Sequence, residues 1–264
     1  MPSRIESPTV GARTELLRND AGVWCIVVAG GTGRRFGSMK QFELLAGSRV
    51  IDRSVRIAAE VCDGVVVVLP EQVLGTPGST VDHADAVVAG GDTRAASVRA
   101  GLSRVPPDAQ VVLVHDAARP LASVGLFRRV VAAVRAGSDA VVPAIEVVDT
   151  IRAVDGGVVD RARLRAVQTP QGFRADVLRR AHATESEATD DAGLVENCGG
   201  HVTLIEGERT NLKLTDPADI DVATAWLSAP TETSGASGDS GPPGESRESR
   251  ASAAAGGSTT PATA

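Results

Sequence analysis

Five short valine-rich runs, separated by stretches of helical periodicity, constrain this chain more than any other feature. They are VWCIVVA (23–29), GVVVVLP (64–70), DAVVAG (85–90), QVVLVHD (110–116) and DAVVPAI (139–145). Each is largely apolar rather than alternating with polar residues, as a strand is when both faces of its sheet are covered. Between the runs, residues 49–61, 93–104 and 123–136 place apolar side chains at helical spacing. Buried strands alternating with helices predict an α/β fold: a mostly parallel, Rossmann-like sheet with helices on both faces. Right-handed crossovers then bring the loops that follow the strands to one edge of the sheet, where ligands bind.

The alternation ends after Ile145. The next segment, EVVDTIRAVDGGVVDRARLRAVQTPQGF, predicts two short alternating strands around Asp155-Gly156-Gly157, a hairpin signal. Its apolar content is too low for another buried layer, so residues 146–170 are expected to form a projecting β-arm that packs on a second subunit. Helical periodicity resumes at 174–184 and 188–197. A strand, HVTLIEG, and a last helix opened by TDPADIDVATAWL follow, with Asp216 as cap and Pro217 in the first helical position. Residues 1–21 are polar and lack the apolar core of a secretory signal, and residues 231–264 are almost all Gly, Ser, Thr, Pro, Ala and charge. Neither end buries enough apolar area to offset its ordering entropy, so both are expected to be disordered around a single domain at 22–230.

Composition narrows the function. A net charge of −6 and 2% aromatic residues exclude a nucleic-acid surface, which needs basic patches and stacking rings. No apolar run approaches the roughly 20 residues of a membrane span, so a soluble protein is expected. Cys25, Cys62 and Cys198 are odd in number and lack metal-ligand spacing, which reads as reduced thiols in a cytoplasmic protein. Of the 27 basic residues only Lys40 and Lys213 are lysine; all the others are arginine.

Lys40 falls just after the first strand, in VVAGGTGRRFGSMKQF (27–42). Two phosphate motifs fail there. The dinucleotide fingerprint meets Phe36 where a third small residue is needed, and the next strand ends in Leu69-Pro70 without a ribose-binding acid. No register of a P-loop exists either. What remains is bare backbone followed by Arg34, Arg35 and Lys40, a pattern suited to a triphosphate that loses its end. Glycine amides approach the phosphates, while Arg35 and Lys40 neutralise charge building on the α-phosphate and pyrophosphate. The plain alternative is a basic turn exposed to solvent.

Further pieces occur in a fixed order: GGDTRAASV (90–98), VHDAARP (114–120), Asp149-Thr150, VDRARL (159–164), TPQ (169–171), TDD (189–191) and NLKLTDPAD (211–219). With the glycine-rich loop, this series resembles the 2-C-methyl-D-erythritol 4-phosphate cytidylyltransferases over residues 23–228. The resemblance implies a single-domain nucleotidyltransferase sheet and a homodimer paired through the arm. It implies CTP binding by Ala29, Gly30, Gly31, Gly33, Gly91, Asp92, Ser97, Asp116 and Ala117. Arg35 and Lys40 would stabilise the transition state, and Arg161 and Lys213 would act with them. Arg119, Thr150, Arg161, Thr169, Thr189 and Lys213 would contact the polyol phosphate, Arg161 from the neighbouring subunit. Asp92 suits cytosine because a carboxylate accepts a hydrogen bond from its exocyclic amine and repels the uracil carbonyl; capping the next helix is its alternative role. Asp116 would hold Mg²⁺, directly or through water, or the ribose. Arg119 is placed for the sugar phosphate or for ordering its loop, and His115, following VVLV, reads as a satisfied structural histidine. One departure stands out: members of the family usually carry Pro-Lys in the first loop. Here Met39 replaces the proline and Lys40 follows Arg35 by five residues, two fewer than is usual.

The implied reaction is Mg²⁺-dependent transfer of CMP from CTP to the methylerythritol phosphate, within isoprenoid precursor synthesis. A ribitol-5-phosphate cytidylyltransferase shares the CTP motifs and differs at the polyol site. A nucleotide-binding regulator without turnover is the reading from another class, and the retained Lys40 and Lys213 speak against it.

Overall fold

The computed structural model describes residues 22–30, 39–184 and 186–228. The chain divides into units Met1–Ala229 and Pro230–Ala264, and every described residue belongs to the first. Both termini expected to be disordered, and the loop residues 31–38, lie outside the described residues.

In chain order the elements are β1 (Val23–Val28), β2 (Leu44–Leu45), β3 (Ser48–Arg49), α1 (Val50–Ala59), β4 (Gly64–Leu69), β5 (Ala86–Ala89) and α2 (Arg94–Leu102). Then come β6 (Val111–Asp116), α3 (Val124–Arg135), β7 (Ala140–Glu146), β8 (Ile151–Arg152), β9 (Val158–Val159), β10 (Arg165–Val167) and β11 (Gln171–Arg174). The last are α4 (Ala175–Ala181), α5 (Asp191–Asn197), β12 (Val202–Glu206) and α6 (Ala218–Ser228). The main sheet runs β10-β7-β11-β6-β1-β4-β5, with β12 also paired to β7. β10 and β11 are its antiparallel members.

β1 sits inside the sheet, with Ile26 opposite Val66 on one side and Val114 on the other. Its alternate residues therefore feed two cores. Val23, Cys25 and Val27 pack with Ile51, Val55, Leu126, Phe127 and Val130 of α1 and α3. Ile26 packs with Val98, Leu178 and Leu194 of α2, α4 and α5. Each fully buried aliphatic or aromatic side chain contributes about 1.5–3 kcal/mol, so the valine runs themselves drive the layered fold. Gly101 lets α2 approach closely: a Cβ there would lie 2.5 Å from Ile26 Cγ2.

The five strands and the helices between them lie where periodicity places them. Some details differ. The run at 85–90, read as buried, is half-buried at all four strand positions because β5 closes one edge of the sheet. The helix expected at 174–184 is Ala175–Ala181, and that at 188–197 is Asp191–Asn197. Strands β10 and β11 were hidden in the hairpin and TPQ segments. The hairpin exists as β8–β9, a separate two-stranded sheet with exposed Val154 and Val158. All three cysteines are free thiols, and no helix among the described residues is long and apolar enough to cross a membrane.

Candidate active site

The parallel strands end together at one edge, and their exits are tied by backbone. Ala29 N donates to Val68 O at 2.9 Å, and Ala117 N donates to Val28 O at 3.0 Å. Two buried side chains hold the same exits: Gln41 Nε2 donates to Ala29 O at 2.9 Å, and Ser54 Oγ donates to Ala117 O at 2.9 Å. Gly30 ends the first described stretch, and a Cβ on it would lie 3.3 Å from Ser97 Oγ. Ser97 itself donates to Gly91 O at 3.3 Å, so the start of the glycine loop lies against the N-terminal turn of α2. The positive end of a helix dipole favours phosphate there. Thr93, not Asp92, caps α2 by accepting from Ala96 N at 3.0 Å, and Asp92 is left exposed. Its alternative role as the cap is thereby removed.

Asp116, at the tip of β6, is the electrostatic centre. Its side chain is 13% exposed, with Lys213 Nζ 2.7 Å from Oδ2 and Arg94 Nη2 3.6 Å from Oδ1. Burial pushes its pKa up, but Lys213 and then Arg94 pull it down to about 2. The carboxylate is therefore ionised at any physiological pH.

Both lysines meet at one segment. Leu214 is fully buried with Leu45, Val50 and Ala223, and its amide donates to Ala118 O at 2.8 Å. Lys213, one residue before, is exposed and reaches Asp116. Lys40 Nζ donates to Leu214 O at 2.6 Å. A buried leucine thus pins the backbone that both lysines share.

The polyol-site residues are arranged differently. Thr169 is buried; its hydroxyl accepts from Asp116 N at 3.0 Å and lies 3.1 Å from His115 Nδ1. The structure gives that hydroxyl an internal role that ties Asp116 to His115. His115 is fully buried 5.0 Å from the Phe127 ring, and burial pushes its imidazole down to about 4. It is buried as its sequence context suggested, but it is not fully satisfied: Nδ1 has the Thr169 hydroxyl, whereas Nε2 is buried without a hydrogen-bond partner among the described residues. Arg119 orders its loop, donating to Asn211 O at 2.8 Å and Val167 O at 3.3 Å. Thr150, Arg161 and Thr189 are exposed, and Arg161 donates to the carbonyl of Val148 within the hairpin region. Gly31, Gly33 and Arg35 lie outside the described residues.

Sequence reasoning passed over Gln41, Arg94 and Asp191. Arg94 was inside a quoted motif, and its position at the start of a helix was the available signal. Gln41 and Asp191 also lay inside motifs, 27–42 and 189–191, but their partners are far away in sequence, so their roles were not readable.

No group of three or more potential metal-ligating side chains occurs among the described residues. The donor set therefore fits a hard divalent cation only as one carboxylate, Asp116, completed by phosphate oxygens and water.

The family model described as 2-C-methyl-D-erythritol 4-phosphate cytidylyltransferase matches residues 23–229. A protein of that name from Rhodococcus opacus is 46% identical over 213 residues, covering 77% of this chain and 94% of the relative. Its counterpart from Nocardia farcinica is 44% identical over 220 residues, covering 79% and 95%. The crystal structure of the Thermus thermophilus protein of the same name superimposes with a TM-score of 0.66 at 38% identity, covering 76% of this chain and 97% of that one.

Proposed function

Because the chain belongs to the 2-C-methyl-D-erythritol 4-phosphate cytidylyltransferase family and is a nucleotidyltransferase, we propose that it transfers CMP from CTP to 2-C-methyl-D-erythritol 4-phosphate in the cytoplasm. Pyrophosphate leaves, and the product is a CDP-linked polyol of isoprenoid precursor synthesis. The observation that carries this reading is the convergence of the only two lysines on one segment beside an ionised carboxylate at the sheet edge.

The chemistry needs no catalytic triad. A phosphate monoester has a second pKa of about 6 and is already a nucleophile at neutral pH. The protein must hold that oxygen in line with the CTP α-phosphorus and spread the developing charge. Gly30, Gly91 and the first turn of α2 offer backbone to the nucleotide, with Asp92 exposed beside them for the cytosine amine. Lys40 and Lys213 supply compact positive charge toward the phosphates, together with Arg35. Asp116 would hold Mg²⁺, which when bound offsets the charge of the triphosphate oxygens. Thr150, Thr189 and Arg161 are proposed for the polyol phosphate, with Arg161 acting across a homodimer formed through the hairpin region. Exposed Val148, Val154 and Val158 support that pairing.

The test is pyrophosphate release from CTP with the methylerythritol phosphate and ribitol 5-phosphate offered side by side. Release with the first alone is expected. Release only with the second would move the protein to the ribitol enzymes, and release with neither would leave a nucleotide-binding regulator.

A further inference from the structure

Arg94 stands where a cation is locally disfavoured. It is the first residue of α2, at the positive end of the helix dipole. A side chain placed against its local preference is there for something beyond the helix. Its surroundings say what. Nη1 lies 2.5 Å from Asp191 Oδ2, and Nη2 lies 3.6 Å from Asp116 Oδ1. Asp191 is fully buried at the start of α5, and its other oxygen lies 3.0 Å from Nε2 of buried His182 at the end of α4. A chain of contacts therefore runs from the α4–α5 pair, through one guanidinium, to the carboxylate at the site.

The two cations on Asp116 are unlike. Arg94 is 27% exposed and anchored from behind by a buried carboxylate, whereas Lys213 is 44% exposed and reaches Asp116 from a loop. Burial works against the charge on Arg94, but Asp191 and then Asp116 outweigh it and raise its pKa. A planar fork also fixes the direction of both partners, which an ammonium does not.

Resting on the cytidylyltransferase reading, we infer that Arg94 is a positioning residue for the nucleotide half of the site. It keeps the Asp116 carboxylate fixed in direction when Lys213 leaves it for a phosphate. Asp191, backed by His182, is the anchor that holds Arg94 in place. Thr150 and Arg161, proposed for the polyol phosphate, lie in the hairpin region outside this chain of contacts.

The experiment uses the full-length protein. Arg94→Lys keeps the charge but cannot bridge two carboxylates; Arg94→Ala removes it and is assayed with and without added guanidinium ion. CTP binding is measured by calorimetry with Mg²⁺ and no second substrate, alongside steady-state KM for each substrate and the melting temperature. Loss of a supporting partner shifts affinity by roughly 10–100-fold, so Arg94→Lys should weaken CTP binding and raise the CTP KM by about tenfold or more. The KM for the polyol phosphate should stay within about twofold. Guanidinium should restore part of the CTP affinity of Arg94→Ala. Wild-type CTP affinity in Arg94→Lys, or a parallel rise in both KM values with a lowered melting temperature, would overturn the inference. A wild-type protein that neither binds nor turns over CTP would instead overturn the reading on which it rests.

Discussion

His115 makes folding stability depend on pH in a way that can be worked out in advance. The ring is fully buried beneath the site, facing Phe127 and the Thr169 hydroxyl, with the charges of Asp116 and Arg119 nearby. Burial lowers its pKa from 6.5 to about 4, with Asp116 opposing and Arg119 assisting. The unfolded chain therefore takes up this proton near pH 6.5, and the folded chain only near 4. Between those values the unfolded state holds more protons, so stability falls as pH falls. A difference of about 2.5 pKa units is worth roughly 3 kcal/mol in full, and roughly 2 kcal/mol of it is lost by pH 5. Above 6.5 the contribution is constant, and below 4 no more is lost. Urea unfolding of the wild type and His115→Gln, with EDTA present, isolates it. The substitution's own cost is independent of pH, so only the difference between the two curves matters. The wild type should lose roughly 2 kcal/mol relative to the variant between pH 7.5 and 5. Curves that stay parallel would show that the folded protein accommodates a charged ring, and the burial argument would be wrong.

Lys40→Ala and Lys213→Ala should each lower kcat by about 10²-fold, the scale for one preorganised donor, with little change in melting temperature; near-normal rates in a folded Lys40 variant would leave Arg35 to act alone. The wild type should prefer CTP strongly over UTP, and Asp92→Asn should narrow that preference in competition assays; an unchanged ratio would assign base selection to backbone groups. Leu214→Ala should cost about 3 kcal/mol in urea unfolding, because the leucine is fully buried in a small cluster, and should lower kcat by loosening the lysine segment. A loss well under 1 kcal/mol would mean that Leu214 does not pin that segment.

The layered fold was legible because buried parallel strands leave an unmistakable mark: GVVVVL is apolar at every position, and β4 is buried at every position. β11 was not legible. Gln171-Gly172-Phe173-Arg174 has no alternation of its own, and Gly172 is there because a Cβ would lie 2.3 Å from Val130 Cγ1. Its pairing with β6 and β7 is decided by distant segments. The same holds at the site. Lys40 and Lys213 announced themselves by rarity, and Asp116 by ending a buried strand. The link between Lys40 and Leu214 spans 174 residues, and that between Arg94 and Asp191 spans 97. No local pattern encodes such pairs; they follow only once the sheet order is fixed.

That geometry also gives a reason for the lysines in a chain otherwise built with arginine. Arg94 touches two carboxylates at once and is anchored by a buried one, so releasing it would strand Asp191 without its cation, a costly step. Lys213 makes one ion pair from an exposed side chain, and such a pair is worth on the order of 1 kcal/mol. A triphosphate carries enough charge to compete for it. On the proposed function, the guanidinium would be the fixed cation of the site and the ammonium the transferable one. On that same reading, if Lys213 turned to a phosphate, Asp116 would keep Arg94 as a partner, while Leu214 would hold the backbone from which the lysine moves. Exchanging the two residue types would reverse the roles: a lysine at 94 could not span both carboxylates, and an arginine at 213 would hold Asp116 with a fork that is harder to displace.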